Sequence, residues 1–507
     1  MFGLDNMDLS RIQFAYTVSV HFIFVPLTIG LSLLMAIMET IYVKTGKEIY
    51  KQMVQFWAIL FAMNFAMGVA TGVPMEFQFG TNWSYYAHYV GDVFGSPLAI
   101  EGLMAFFLEA TFIGLFFFGW NKLSKVQHAT VTWLVFLGSN FSAIWILIAN
   151  GWMQNPIGAY FNLDTMRMEM DDFWAVVLNP AAQYRFLHTL TASYILGSVF
   201  VIGVSSLYLL RGKNIEFAKR SIMVAAVVGI ISTIATAIAG DMQGKLVHKT
   251  QHAKMAAVEA IWETEEFPAG VTLFALPSQS GEKNFFEVRI PKALGMLVGD
   301  EVKGIKDVRK DYESRIRSGL IAYDALNKYK ADKTNEQARA TFEAHVADLG
   351  YALLLFRNLT DITQATDQDI QMAAASSMPK VAPLFFSFRL MVGLGVFFLV
   401  FFTTVYVMTI RNTYVKSKFM QYVALWIIPL PWFAIFAGWF VAEYGRQPWV
   451  IQDILPTFRA ASHLSSATVF SSLLGFFIIY TCLVIVDAIL MVKQVKKGPE
   501  NTNNSAN

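Results

Sequence analysis

The 507-residue sequence has a single cysteine, Cys482, and it lies inside an apolar run. One thiol excludes a disulfide within the chain, a CxxCH haem attachment and a cysteine-ligated iron-sulfur cluster. Charge is scarce at 15% of residues, and the net value of +2 is too small and too dispersed for a nucleic-acid partner. No P-loop, GxGxxG fingerprint, HExxH or GxSxG occurs, so nucleotide-driven transport and the common hydrolase chemistries have no motif to rest on. Low-complexity sequence is confined to the polar tail Asn501–Asn507.

What is abundant is apolar sequence. Hydrophobic residues make up 55% of the chain and fall in solid blocks, without the stripes of a surface helix or the alternation of a strand. Nine runs stand out, at about 13–42, 53–75, 96–120, 127–150, 185–210, 219–240, 383–410, 419–442 and 467–492, each long enough for a hydrocarbon core of about 30 Å. A membrane barrel gives weak alternating segments, so the expected fold is an all-α integral membrane protein, nine transmembrane helices in a bundle.

Lysine and arginine set the orientation. Lys44, Lys47 and Lys51, then Lys122 and Lys125, Arg211, Lys213, Lys219 and Arg220, Arg411, Lys416 and Lys418, and Lys493, Lys496 and Lys497 all fall on one side, which is therefore cytoplasmic. The other side holds only Arg11, Arg167, Arg185, Arg446 and Arg459. The amino terminus is expected outside and the carboxyl terminus inside. The first run has an acidic, lysine-free lead-in and no small-residue cleavage site, so it reads as a retained helix. Residues 1–240 carry runs one to six and residues 381–507 carry runs seven to nine and the tail. Between them, 241–380 is too long for a connector and reads as an extracytoplasmic functional domain, its part Asp307–Ala347 patterned as a solvated helical hairpin.

Few residues in such a chain can carry chemistry, so each stands out. Glu443 and Arg446 end the eighth run in Gly438–Trp449; an intramembrane charge is functional by default, although position alone leaves an interfacial pair equally open. His21 and His188 lie in or at the mouth of apolar runs, and Arg389 and Met391 share Phe385–Met391. Imidazole and thioether can ligate haem iron and a guanidinium can pair a propionate, but a core histidine and a core methionine are the plain alternatives. The run directions put His21, His188, Met391 and Glu443 in one layer near the outer face. Glu101 and Glu109, eight residues apart, are offset by roughly 80° on a regular helix and so can line one polar track for protons. Lys254 and Glu259, just after run six, can bind and deprotonate a hydroxyl-bearing lipid-soluble substrate, although by spacing alone they are an ordinary solvated pair.

Together these pieces resemble subunit I of the bacterial cytochrome bd quinol oxidases. The resemblance spans essentially the whole chain and rests on Met75–Trp83, Ile100–Glu109, Ala149–Pro156 and Gly445–Trp449. It implies a low-spin haem b ligated by His188 and Met391 and stabilised by Arg389, and two high-spin haems, one b and one d, on His21 and Glu443. It further implies Trp439 between haems, Arg446 as a polar partner of the haems, Glu101 and Glu109 on the proton path with Asn150 at its outer end, and Lys254 and Glu259 as the quinol-interacting pair. The segment after run six looks like the long form of the family's Q-loop. The implied activity is oxidation of ubiquinol or menaquinol at the outer face of a bacterial plasma membrane, with O2 reduced to water and proton motive force made without pumping. Expected partners are subunit II, a small single-helix subunit and membrane lipid. Two other readings stay open: the cyanide-insensitive form with haem b in place of haem d, and a cofactor-free transporter or proton channel.

Overall fold

The computed structural model describes residues 5–499. Helix α1 (Asn6–Thr45) starts where the Asp5 carboxylate accepts the Asp8 amide and stops at Gly46, which adopts φ 65°. Helix α2 (Glu48–Thr81) returns; α3 (Ser84–Ile100) runs into a π turn over Glu101–Ala105 and resumes as α4 (Phe106–Phe118). A capping box between Ser124 and Gln127 opens α5 (Lys125–Gln154). After the hairpin β1 (Ala159–Asn162) and β2 (Arg167–Met170) and the short α6 (Phe173–Val177), Asn179 caps α7 (Pro180–Leu210), with proline at its first position. Helix α8 (Ile215–Thr250) leads directly into α9 (His252–Glu259).

The interrupting region then contains the antiparallel hairpin β3 (Val271–Ser278) and β4 (Lys283–Ile290), α10 (Ala293–Val298), the long α11 (Ile305–Ala331), α12 (Glu336–His345), α13 (Leu349–Leu353) and α14 (Asp367–Ser376). Helices α11 and α12 form the helical hairpin expected over Asp307–Ala347. The chain re-enters the bundle as α15 (Val381–Ile410), turns through α16 (Lys418–Trp426) into α17 (Leu430–Tyr444), crosses a small hairpin of β5 (Trp449–Ile451) and β6 (Leu455–Pro456), and ends on α18 (Ser466–Lys497).

Among the described residues, eight helical stretches are long and apolar enough to cross a membrane, so the chain is a multi-pass, mostly helical membrane protein. The remaining run, about 96–120, is not one regular helix. It is shared by the end of α3, the π turn and the 13-residue α4. A π turn accommodates an extra residue, which rotates everything beyond it by roughly 100° relative to a regular helix. The α-helical offset expected between Glu101 and Glu109 therefore does not hold.

The bundle is tight where small residues let backbones touch. A Cβ on Gly30 of α1 would stand 2.4 Å from the Ser193 carbonyl oxygen of α7, and one on Gly197 would stand 2.7 Å from Gly30 Cα. Without a hydrophobic drive between helices in lipid, such contact is what holds them together. Around it lies a core including Leu34, Trp57, Phe61, Leu196, Ile202 and Phe402, all nearly fully buried. A second core, with Trp262, Ile305, Leu384 and Phe385, fastens the region after α9 to the top of α15. A third, with Tyr312, Ile316, Tyr351 and Trp449, locks α11 over the turn that follows α17. The tip of that turn is held from two sides: the Gln452 backbone N–H donates to Met153 O (2.9 Å), and Asp453 accepts from Arg315 (3.0 Å) and the Tyr351 hydroxyl (2.8 Å).

Candidate functional site

Helix α17 is the hub on which the candidate residues converge. Gly438 leaves room for Met391 of α15, whose Sδ lies 2.9 Å from where a Cβ would be. One residue on, Trp439 meets Phe22 of α1 edge to face at 5.0 Å, and the Arg185 guanidinium of α7 lies over its ring at 5.8 Å. One turn further, Glu443 accepts from Asn150 and Gln154 of α5, each at 3.2 Å, and faces Arg185 at 3.5 Å. Arg446 folds back three residues to the other Glu443 oxygen. A carboxylate in the last turn of a helix opposes the partial negative charge there, and the two arginines offset that cost.

Lysine joins the same cluster. Lys254 on α9 is 3% exposed, and its Nζ donates to Gln154 Oε1 at 2.8 Å and to the Ala442 carbonyl at 2.9 Å. It is not half of a solvated pair, which corrects what the spacing alone suggested. Burial, reinforced by Arg185, holds its pKa well below the usual lysine value. Gln154 also accepts from Gln251 and lines a cavity of about 1070 Å³ that opens between α5, α11 and the turn after α17.

The two histidines are prepared alike. His188 Nδ1 lies 3.0 Å from the Thr236 carbonyl of α8, which can only accept, so Nδ1 carries the proton and Nε2 presents a lone pair. His21 Nδ1 lies 3.0 Å from the Thr71 hydroxyl of α2, which itself donates to the Met67 carbonyl at 2.9 Å. His21 Nε2 is thereby left as the basic nitrogen. Orienting one ring nitrogen by a hydrogen bond so that the other can ligate is how metal-binding histidines are held.

Arg389 is engaged differently from a free propionate partner. Its Nη2 donates to Glu259 Oε2 at 2.6 Å and its Nε to the Thr272 carbonyl of β3 at 2.8 Å. Glu259 is 5% exposed; burial pushes its carboxyl up, against the opposing pull of Arg389. Glu101, at the head of the π turn, accepts from Ser142 of α5 at 2.7 Å. Glu109 is on α4, and its side chain lies outside the described residues.

The residues fit a group that brings negative charge and takes imidazole or thioether ligands. Arg185, Arg446 and Lys254 surround one carboxylate, and Arg446 Nε and Nη1 and Arg185 Nε are buried with no hydrogen-bond partner. Buried charged donors are normally satisfied, so the cluster calls for additional acceptors such as propionates. Glu443 keeps 33% of its side-chain surface open, so there is room beside the carboxylate at the edge of this cluster.

Sequence reasoning passed over Arg185, Gln154, Gln251, Thr71 and Thr236, which orient the expected ligands. It also passed over a buried cluster at the far end of α5, where His128 Nδ1 meets Glu39 at 2.5 Å, its Nε2 donates to the Phe116 carbonyl at 2.9 Å, and Thr132 donates to Glu39. A signal was present. On a helix, His128, Thr132, Ser139, Ser142, Asn150 and Gln154 fall within roughly 120° of arc. Helix α5 thus carries a polar stripe from the Glu39 cluster, past Glu101, to Glu443.

The family model for cytochrome bd terminal oxidase subunit I matches residues 9–499. The chain is 48% identical over 499 residues to cytochrome bd-II ubiquinol oxidase subunit 1 of Escherichia coli, covering 98% of this chain and 97% of that one. It is 35% identical over 505 residues to cytochrome bd ubiquinol oxidase subunit 1 of Bacillus subtilis, covering 99% and 96%. Its fold is similar to the solved bd oxidase from Geobacillus thermodenitrificans, with a TM-score of 0.80 at 24% identity, over 98% of this chain and 100% of that one. On a match that spans all but the two ends, this chain belongs to the cytochrome bd terminal oxidase subunit I family.

Proposed function

We propose that this chain is the haem-bearing subunit of a membrane quinol oxidase that takes electrons from quinol at the outer face and reduces O2 to water. Two quinols supply the four electrons for each O2. The reading includes nine spans, counting the π-interrupted stretch as the third, with the amino terminus and the region after α8 outside. Subunit II, a small single-helix subunit and lipid complete the assembly. His188 and Met391 would hold a low-spin haem b, and His21 and Glu443 the high-spin haems b and d. Bound haems would supply the electron relay and the iron at which O2 is reduced.

The residues of the chain then have separable tasks. Glu259, with a raised pKa and with Arg389 donating closely to one oxygen and loosely to the other, takes a proton from the quinol hydroxyl and releases it outside. Arg185 and Arg446 hold the Glu443 carboxylate in place and offer their spare donors to propionates. Protons consumed in making water travel from the lysine-rich side along the polar face of α5, with Ser142 and Glu101 midway, Glu109 as a further carboxylate and Asn150 near the end. Because quinol protons leave on one face and water protons arrive from the other, charge is separated without a pump.

The observation that carries this reading is the excess of buried, partnerless cationic donors beside Glu443. An optical and pyridine-haemochrome analysis of the purified complex tests it: bound haem b with a far-red haem d band is expected, and a colourless protein overturns it.

A further inference from the structure

The hairpin of β3 and β4 exposes apolar side chains on both strands, beside the charged Lys283, Glu287 and Arg289. Phe286 is 81% exposed, Val288 55%, Phe274 48% and Ile290 46%, with Leu276 and Phe285 beside them. A contiguous patch of this kind is costly in water. Phe286 also adopts φ 50°, a left-handed conformation unfavourable for an aromatic residue, and this turns its ring outward. The strain calls for a compensating contact beyond the chain.

The hairpin's attachment says what that contact is. Arg389, eight residues into the apolar α15 and so about 12 Å along it, donates to the Thr272 carbonyl of β3 at 2.8 Å. Ala275, fully buried, packs into the core shared with Leu384 and Phe385 at the top of α15. On α15, Phe386 and Leu390 flank Arg389 and are 41% and 50% exposed. The hairpin's apolar surface therefore continues the lipid-facing surface of the bundle. Two paired strands leave their outer edges unbonded, which bars them from the hydrocarbon centre but not from the boundary between headgroups and acyl chains. Lys283, with its amine 4.9 Å from the Phe285 ring, suits that boundary, its stem in lipid and its charge in water.

We propose that the β3–β4 hairpin is inserted in the lipid leaflet on the face that carries residues 251–380, its apolar side chains in contact with acyl chains. It thereby forms a lipid-contacting lip beside the Glu259–Arg389 pair. The proposal rests on the membrane fold and holds whether or not that pair handles quinol.

The test uses the assembled complex in nanodiscs of phosphatidylethanolamine and phosphatidylglycerol, with Cys482→Ser to remove the lone thiol. A nitroxide is attached at Phe286→Cys and, in a second variant that guards against misfolding of the first, at Val288→Cys. Relaxation by O2, which concentrates in lipid, is compared with relaxation by a water-soluble nickel chelate. Ile231→Cys and Val396→Cys on the spans and Ile321→Cys on α11 serve as references. The hairpin labels should give an oxygen-to-nickel ratio several-fold above that of Ile321→Cys and close to those of the span sites. A ratio equal to that of Ile321→Cys overturns the proposal, as does protection from both reagents, which would mean that protein covers the hairpin.

Discussion

Lys254 and Glu259, five residues apart on the short α9, engage different helices: the amine reaches Gln154 and the Ala442 carbonyl at the foot of Glu443, while the carboxylate pairs with Arg389 at 2.6 Å. Their partners do not overlap, so their effects should be separable. Glu259→Gln is expected to lower kcat/KM for quinol by tenfold or more while leaving the haem spectrum intact, on the usual scale of about 10²–10⁴ for general-base catalysis. Lys254→Met is expected to shift the high-spin bands, because it frees Gln154 from the side opposite Glu443. The double variant should show additive free energies within about 0.5 kcal/mol. Strong coupling in steady-state kinetics would mean that both residues touch one substrate.

A pH dependence follows from the burial of Glu259. Its carboxyl is raised above the ordinary value, and only the ionised form can accept a proton. Quinol oxidation should therefore fall as pH drops through a pKa above the usual carboxylate range, and should recover as pH rises. Glu259→Gln should remove this acid limb and leave a low, flat profile. The measurement is kcat/KM for quinol against pH; an unchanged limb in the variant assigns it to another group.

The Glu443 cluster makes a prediction about cofactor retention. Arg446→Gln removes one of the two arginines beside Glu443 and with it two of the three donors proposed for propionates. Such supporting partners are worth about 10–100-fold in the affinity of a metal site. High-spin haem per mole of purified complex should drop, while the low-spin signal that depends on His188 and Met391 stays. Conversely, His188→Ala should remove the low-spin signal and spare the high-spin bands. Equal loss of all haems in both variants would falsify the separation of the two sites.

The extent to which these features could be read in advance depended on sequence distance. Solid apolar runs revealed the helices, because covering a span takes nothing but local composition. Glu443 and Arg446 were visible as candidates because charges at the end of an apolar run stand out from their neighbours. Arg185, which faces Glu443 from 258 positions away, was not, since no local pattern encodes such a contact. The π turn at Glu101 was hidden for another reason: its sequence, Glu-Gly-Leu-Met-Ala, is compatible with an ordinary helix, and only backbone hydrogen bonding departs from one. Lys254 was misjudged by spacing because its burial depends on α17 and α5 closing over α9.

The polar stripe of α5 leads to the last prediction. Ser142 donates to Glu101 at 2.7 Å, and along α5 it stands between the Glu39–His128–Thr132 cluster and the Asn150 and Gln154 side chains that reach Glu443. Ser142→Ala removes one hydroxyl and almost no volume, so packing should be kept and stability should change by about 1 kcal/mol. If the stripe conducts, turnover should slow several-fold, the kinetic isotope effect in D2O should rise, and the optical spectrum should be unchanged. Restoring a hydroxyl with Ser142→Thr should recover most of the rate, because an inserted methyl is tolerated where a missing proton carrier is not. Full activity in Ser142→Ala would show that protons bypass α5, and attention would turn to the face of α4 that carries Glu109.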